Sequence, residues 1–272
     1  MKNKCFSSPF ILIDGFFVLY RSYYSFPKLK NKKGEYIGAI YGTIRIIKKL
    51  INMYCPTHMV VVFDSKGKTF RNKIFNEYKS NRPPMPKELK NQILPLCKII
   101  KNMGIQFISV SGVEADDVIG TLSLEAEKNK KKVLIGTGDK DITQLVSSYV
   151  NMIDVFSNNI TGPKEVKLKF GVPPKLIADY LALVGDNADN VPGVPGIGKK
   201  TAVILLEKIG NIFTLYKSLE KISILKIKNQ KTIIFNLKQY KEIAFLSYKL
   251  TKIKTDVNIN KKYCQFKIKK YL

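Results

Sequence analysis

The chain has 272 residues, 45% of them apolar, which suffices for one large domain or two smaller ones, each with its own core. It carries 47 Lys and Arg against 21 Asp and Glu, a formal net charge of +26, so the expected partner is a polyanion, foremost a nucleic acid. A single histidine, His58, nearly excludes Ser–His and Cys–His catalysis, four cysteines without a CxxC pair argue against structural zinc, and no apolar run approaches the ~20 residues of a membrane span.

In chain order, residues 10–14 read as a short buried strand, and 38–54 carry apolar residues at helical spacing. A buried strand follows at 59–64, a helix at 86–103 opening after Pro86, and a strand at 105–110. Residues 114–129 read as a helix with acids in its first turn, 132–136 as a strand, 141–146 as a short helix, and 150–156 as another strand. This alternation predicts an α/β fold, a mainly parallel sheet flanked by helices on both faces. After about residue 165 the pattern turns helical, with helices expected at 173–184, 199–209, 211–218, 230–238 and 240–250. The expected division is an α/β domain over 1–168, a helical domain over 169–258, and a Lys-rich tail over 259–272 that could add a late strand. With no signal peptide, the cysteines are expected as reduced thiols in the cytoplasm.

The acids are few, and nine of them cluster: Asp14, Asp64, Glu114 with Asp116 and Asp117, Asp139 with Asp141, and Asp186 with Asp189. Three clusters directly follow strand-like runs, FILID, VVVFD and VLIGTGDKD. Parallel strands that end in acids bring carboxylates to one sheet edge, where they repel unless cations neutralise them. All-oxygen ligands select hard divalent ions, Mg²⁺ or Mn²⁺. Taken alone, the acids at 114–117 serve equally well as helix caps. The glycines around Thr137 read as turn residues rather than a phosphate loop.

Residues 65–90 are dense in Lys and Arg, interleaved with Phe70, Phe75 and Tyr78, a composition suited to threading a single strand past bases and phosphates. In LVGDNADNVPGVPGIGKKTA (183–202), Gly193, Gly196 and Gly198 precede Lys199, Lys200 and a helix. Glycines opening a helix let backbone N–H groups approach a phosphate, so 183–209 reads as a helix–hairpin–helix grip on duplex backbone.

These stretches, with IDG and LYRSY at 13–24, FRNKIFNEYKSNRPPMP at 70–86 and GVEADD at 112–117, resemble the 5′ nuclease domain of bacterial DNA polymerase I, within the flap endonuclease family. The resemblance spans roughly residues 10–250 and implies a PIN-like 5′ nuclease fold and a structure-specific, metal-dependent 5′–3′ exonuclease and flap endonuclease. By that likeness all nine acids are metal-site residues serving two Mg²⁺ or Mn²⁺ ions, with no side chain needed as base. Tyr78, Lys79 and Arg82 match a helical arch over about 65–90 that handles the scissile phosphate, while Arg21 and Arg71 match basic residues near the site. The turn at 191–200 matches a duplex grip that holds K⁺ in family members. Implied partners are DNA with 5′ flaps, nicks or RNA primers, and a separate polymerase. A monomer acting at the bacterial nucleoid is expected, without membrane contact. The chain stops where a polymerase I would continue, and so is expected to be a stand-alone nuclease, as a natural remnant or as an excised piece. Phe16, Phe17 and Lys199 depart from the family pattern. A PIN-type ribonuclease and a decayed DNA-binding module are the rival readings; the grip at 183–202 disfavours the first and the full set of acids the second.

Overall fold

FILID forms strand β1 (Phe10–Asp14), every residue of it buried. In the computed structural model, which describes residues 8–225 and 227–269, it is followed by β2 (His58–Val62), β3 (Gln106–Ile108), β4 (Val133–Gly136), β5 (Val150–Ile153) and β6 (Ile160–Thr161). The sheet order is β3-β2-β1-β4-β5-β6, parallel throughout except for β6, which closes one edge antiparallel. Parallel strands covered on both faces are continuous apolar runs, as FILID, HMVVV and VLIG are. The chain winds from β1 outward to β2 and β3, then returns to β4 on the other side of β1. At such a reversal the loops leaving neighbouring strands diverge, and a crevice opens beyond the carboxyl ends.

The helices are α1 (Gly15–Ser25), α2 (Gly38–Tyr54), α3 (Phe70–Ile74), α4 (Lys87–Asn102), α5 (Ala115–Lys128), α6 (Pro163–Phe170), α7 (Ile177–Val184), α8 (Lys199–Lys208), α9 (Ile212–Lys217), α10 (Gln230–Gln239) and α11 (Lys241–Thr251). The 141–146 element is a 3-10 turn over Asp141–Leu145. Helix α1 starts directly at the end of β1, with Asp14 as its N-cap. A Cβ on Gly15 would lie 2.5 Å from the Phe63 ring and 2.8 Å from the Val62 carbonyl, so only glycine permits that abrupt turn. Among the described residues, no helix is long and apolar enough to cross a membrane.

Two compact units result. One comprises the chain up to Gly67, Pro84–Gly162 and the chain from Lys254; its core includes Ile11, Ile13, Leu19, Ile47, Val61, Leu96 and Ile153. The other comprises Lys68–Pro83 with Pro163–Ile253, where Tyr78, Val191 and Leu250 pack together. A single boundary near 165–170 therefore does not describe the division. The segment 68–83 belongs with the helical unit because Arg71, only 2% exposed, donates from Nε to the Leu250 carbonyl (2.7 Å) and from an Nη to that of Lys252 (2.9 Å). The expected helical arch over 65–90 is also corrected: it holds the five-residue α3 and then turns, and α4 begins only at Lys87. Lys79 adopts φ +58° and prolines occupy 83, 84 and 86, which bars a continuous helix.

The tail returns to the sheet unit. Lys254 N donates to Asp117 Oδ1 (2.9 Å), and Met59 N to the Phe266 carbonyl (3.0 Å). In place of a late strand, a single antiparallel bridge joins Lys267 to His58. Cys5 and the last three residues of the expected tail lie outside the described residues.

Candidate metal centre and nucleic-acid grip

The sheet unit gathers seven of the nine acids beyond the carboxyl ends of four parallel strands. Asp14 ends β1, Asp64 follows β2, Glu114, Asp116 and Asp117 follow β3, and Asp139 and Asp141 follow β4. Strand β1 and strand β4 are neighbours at the topological reversal. Hydrogen bonds fix the acids in two groups. In the first, Thr137 Oγ1 donates to Asp14 Oδ2 (2.9 Å) and accepts from the Asp139 N–H (3.2 Å), while Asp139 Oδ1 accepts from the Asp141 N–H (2.9 Å). In the second, Asp64 Oδ1 accepts from the Ala115 N–H (2.7 Å), tying the β2 acid to the start of α5.

Asp14 shows what this crowding costs. It is 7% exposed, and burial pushes its carboxyl up to about 7 from an ordinary 3.8. The Phe17 N–H and the Thr137 hydroxyl pull it down, while the neighbouring carboxylates of Asp139 and Asp64 push it further up. A cation beside such a carboxyl would favour its ionised form. The donors on offer are carboxylate oxygens, which suit a hard divalent ion. Asp117 differs from the rest: fully buried, it accepts the Glu114 N–H (3.1 Å) and the Lys254 N–H (2.9 Å) on separate oxygens. It caps α5 and anchors the returning tail, and Glu114 completes a capping box with it. Of the two roles left open for the 114–117 acids, capping is present, at Glu114 and Asp117.

In the helical unit, α7, the turn at 185–198 and α8 form the expected helix–hairpin–helix. Gly193 has φ +67°, and a Cβ there would lie 2.4 Å from the Gly185 nitrogen, so the two glycines let the hairpin strands cross in contact. Gly196 also has a positive φ, whereas a Cβ on Gly198 would meet open space. Lys199 and Lys200 are exposed on the first turn of α8. Asp186 sits in a tight loop, paired to Val191 in both directions.

The basic segment closes onto Asp189 within this same unit. Arg82 pairs with Asp189 Oδ1, Lys79 Nζ lies 3.6 Å from Oδ2, and the Tyr78 hydroxyl donates to Oδ2 (3.4 Å). The backbone joins in: Lys79 N donates to the Asp189 carbonyl (3.0 Å), Asn81 to that of Asn187 (2.7 Å), and Asn190 to that of Glu77 (2.8 Å). Tyr78 is 4% exposed and cannot serve as a free stacking platform here. Arg71, expected among the basic residues near the site that meet DNA, instead donates from its guanidinium to main-chain carbonyls in the interior. Arg21 is exposed on α1 with its guanidinium over the Phe156 ring at 4.9 Å. Phe16 packs edge-on to Phe63, and Phe17 lies under Gly138, where a Cβ would come within 2.5 Å of its ring. Sequence reasoning missed Thr137; its signal was a lone hydroxyl between two glycines in the acid-bearing GTGDKD run.

Comparison with known proteins divides the chain once, between residues 171 and 172. Residues 9–171 match the model of the 5′-3′ exonuclease N-terminal resolvase-like domain, and 172–271 that of the 5′-3′ exonuclease C-terminal SAM fold. A 5′-3′ exonuclease of Buchnera aphidicola subsp. Baizongia pistaciae is 50% identical over 92% of this chain and 83% of its own length. DNA polymerase I of Pseudomonas aeruginosa is 43% identical over 93% of this chain but only 28% of its own. The 5′-exonuclease of T5, solved with zinc bound, superposes with a TM-score of 0.73 over 89% of this chain and 88% of that one; at 19% identity the likeness is one of fold.

Proposed function

The chain belongs to the 5′–3′ exonuclease family, a metal-dependent nuclease that cuts DNA from 5′ ends and at 5′ flaps, and we propose that two Mg²⁺ ions serve its chemistry. The observation that carries this is the convergence of Asp14, Asp64, Asp116, Asp139 and Asp141 beyond four strand ends, with the Asp14 carboxyl raised by burial and by neighbouring carboxylates. Bound there, the ions supply Lewis-acid charge to the scissile phosphodiester and activate water near neutral pH. Mn²⁺, equally hard, substitutes. Glu114 and Asp117 support the set from the start of α5, and Asp186 and Asp189 are proposed as further divalent-metal ligands on the family likeness.

Lys79 and Arg82 hold a DNA phosphate in this reading. Both are engaged by Asp189, so substrate exchanges one anion for another at the same cations. Tyr78 orients the pair from the interior, and Arg21, on an exposed face of α1, adds positive charge. The hairpin with Gly193, Gly196 and Gly198, and Lys199 and Lys200 beyond it, grips duplex backbone without reading bases. A K⁺ ion at the 191–200 turn is proposed from the family likeness, and K⁺-dependent duplex affinity tests it. Substrates are 5′ flaps, nicks and RNA primers on DNA, met in replication and repair; the enzyme works as a cytoplasmic, nucleoid-associated monomer alongside a separate polymerase.

The deciding experiment is cleavage of a 5′-labelled flap duplex with Mg²⁺ and with EDTA, beside Asp116→Ala. Mg²⁺-dependent cutting near the junction that the variant lacks supports the assignment. Wild-type turnover by the variant overturns it.

A further inference from the structure

Thr137 is a neutral side chain built in among the acids. It follows β4 immediately, is 1% exposed, and its hydroxyl has both of its roles filled. The proton goes to Asp14 Oδ2 at 2.9 Å, and the oxygen receives the Asp139 N–H at 3.2 Å. The Phe17 N–H takes the other Asp14 oxygen at 3.1 Å. One hydroxyl therefore fixes how the last residue of β1 faces the loop leaving β4, across the point where the strand order reverses. Among the described residues, two donors reach the Asp14 carboxylate, the Phe17 N–H and the Thr137 hydroxyl. Thr137 supplies one of the two.

We propose that Thr137 is a positioning residue for divalent metal binding: its hydroxyl orients the Asp14 carboxylate and sets the backbone that carries Asp139. The inference rests on the metal reading above. A hydroxyl is the right group for the place. A lysine would reach the same oxygen but bring a charge that competes with the cation, and an amide would need room that a buried site beside Gly136 and Gly138 does not have. Serine could donate the same bond, though without the methyl that restricts χ1. Partners of this kind are worth about 10- to 100-fold in metal affinity when removed.

The test measures Mn²⁺ binding to the full chain without DNA, by the loss of free-ion electron paramagnetic resonance signal, for two pairs that each differ by the hydroxyl: wild type with Thr137→Val, and Thr137→Ser with Thr137→Ala. The Mg²⁺ dependence of flap cleavage is followed in parallel. Each member lacking the hydroxyl should bind Mn²⁺ about 10-fold or more weakly than its mate, and its cleavage should recover as Mg²⁺ is raised. A purely structural role would lower the melting temperature and leave the metal midpoint where it was; that result overturns the proposal, as does equal affinity within both pairs. If one pair fails to fold, the other decides. Wild type that binds no Mn²⁺ and cuts nothing sinks the metal reading itself, a failure distinct from that of Thr137.

Discussion

Two buried aspartates, Asp14 in the sheet unit and Asp189 in the helical unit, are 7% and 6% exposed and meet opposite surroundings. Asp14 is flanked by Asp64 and Asp139 and reached by two neutral donors, and its carboxyl is pushed up to about 7. Asp189 is clasped by Arg82, Lys79 and the Tyr78 hydroxyl. The sheet unit leaves Asp14 with a deficit of positive charge, and the helical unit supplies cations to Asp189. In the proposed function the first arrangement recruits a cation from solution, and the second exchanges a carboxylate for a DNA phosphate.

The contrast can be broken most sharply at the sheet edge. Asp116→Ala should lower flap cleavage by about 10³-fold or more, the scale of losing a principal electrostatic stabiliser, with the melting temperature of the metal-free protein unchanged or higher. Near-normal turnover would show that these acids do not form the reactive centre.

Asp14→Asn tests the deficit itself. The folded-state pKa of Asp14 lies above its unfolded value, so the native state binds the proton more tightly and loses stability as pH rises from about 4 through about 7. Raising a carboxyl from 3.8 to about 7 corresponds to about 4 kcal/mol, less what relaxation recovers. In EDTA, Asn at this position should therefore stabilise the fold at pH 8 and change little at pH 4, read from urea midpoints. Saturating Mg²⁺ should abolish the advantage. An equal effect at both pH values would mean that Asp14 is not strained by its charge.

Arg71→Ala should cost about 3 kcal/mol, since it strands the Leu250 and Lys252 carbonyls in the interior. A fall in duplex affinity without a fall in melting temperature would return Arg71 to the DNA-binding surface. Smallest is Lys199→Ala, which should weaken duplex binding by under about 1 kcal/mol and reduce the salt slope by about one, leaving cleavage at saturating DNA intact.

Much of this was legible in the chain. Strands β1, β2 and β4 are apolar runs with acids behind them, and α2 and α5 show clear helical spacing. Helix α1 was not legible: GFFVLYRSYYS is rich in aromatic residues, and its N-cap, Asp14, is also the last residue of a strand. Its helical state comes from packing against α2, which local pattern does not express. Arg71 misled for a related reason. In a run of Lys and Arg a guanidinium reads as surface, and nothing within ten residues announces the carbonyls at 250 and 252 that bury it. Thr137 was hidden by its ordinariness, since one hydroxyl gains meaning only when a second strand sets Asp14 beside it.

The same Arg71 bond spans 179 residues of chain. A ribosome adding about 5–20 residues per second needs roughly 10–35 s to make the intervening polypeptide. For that interval the segment 68–83 has emerged and the helices that receive it have not. A guanidinium has no reason to leave water before its acceptors exist, so this stretch stays solvated while the first strands on either side of it can already pair. The nascent enzyme would thus acquire its acidic floor first, and the basic segment would take its place only near the end of translation.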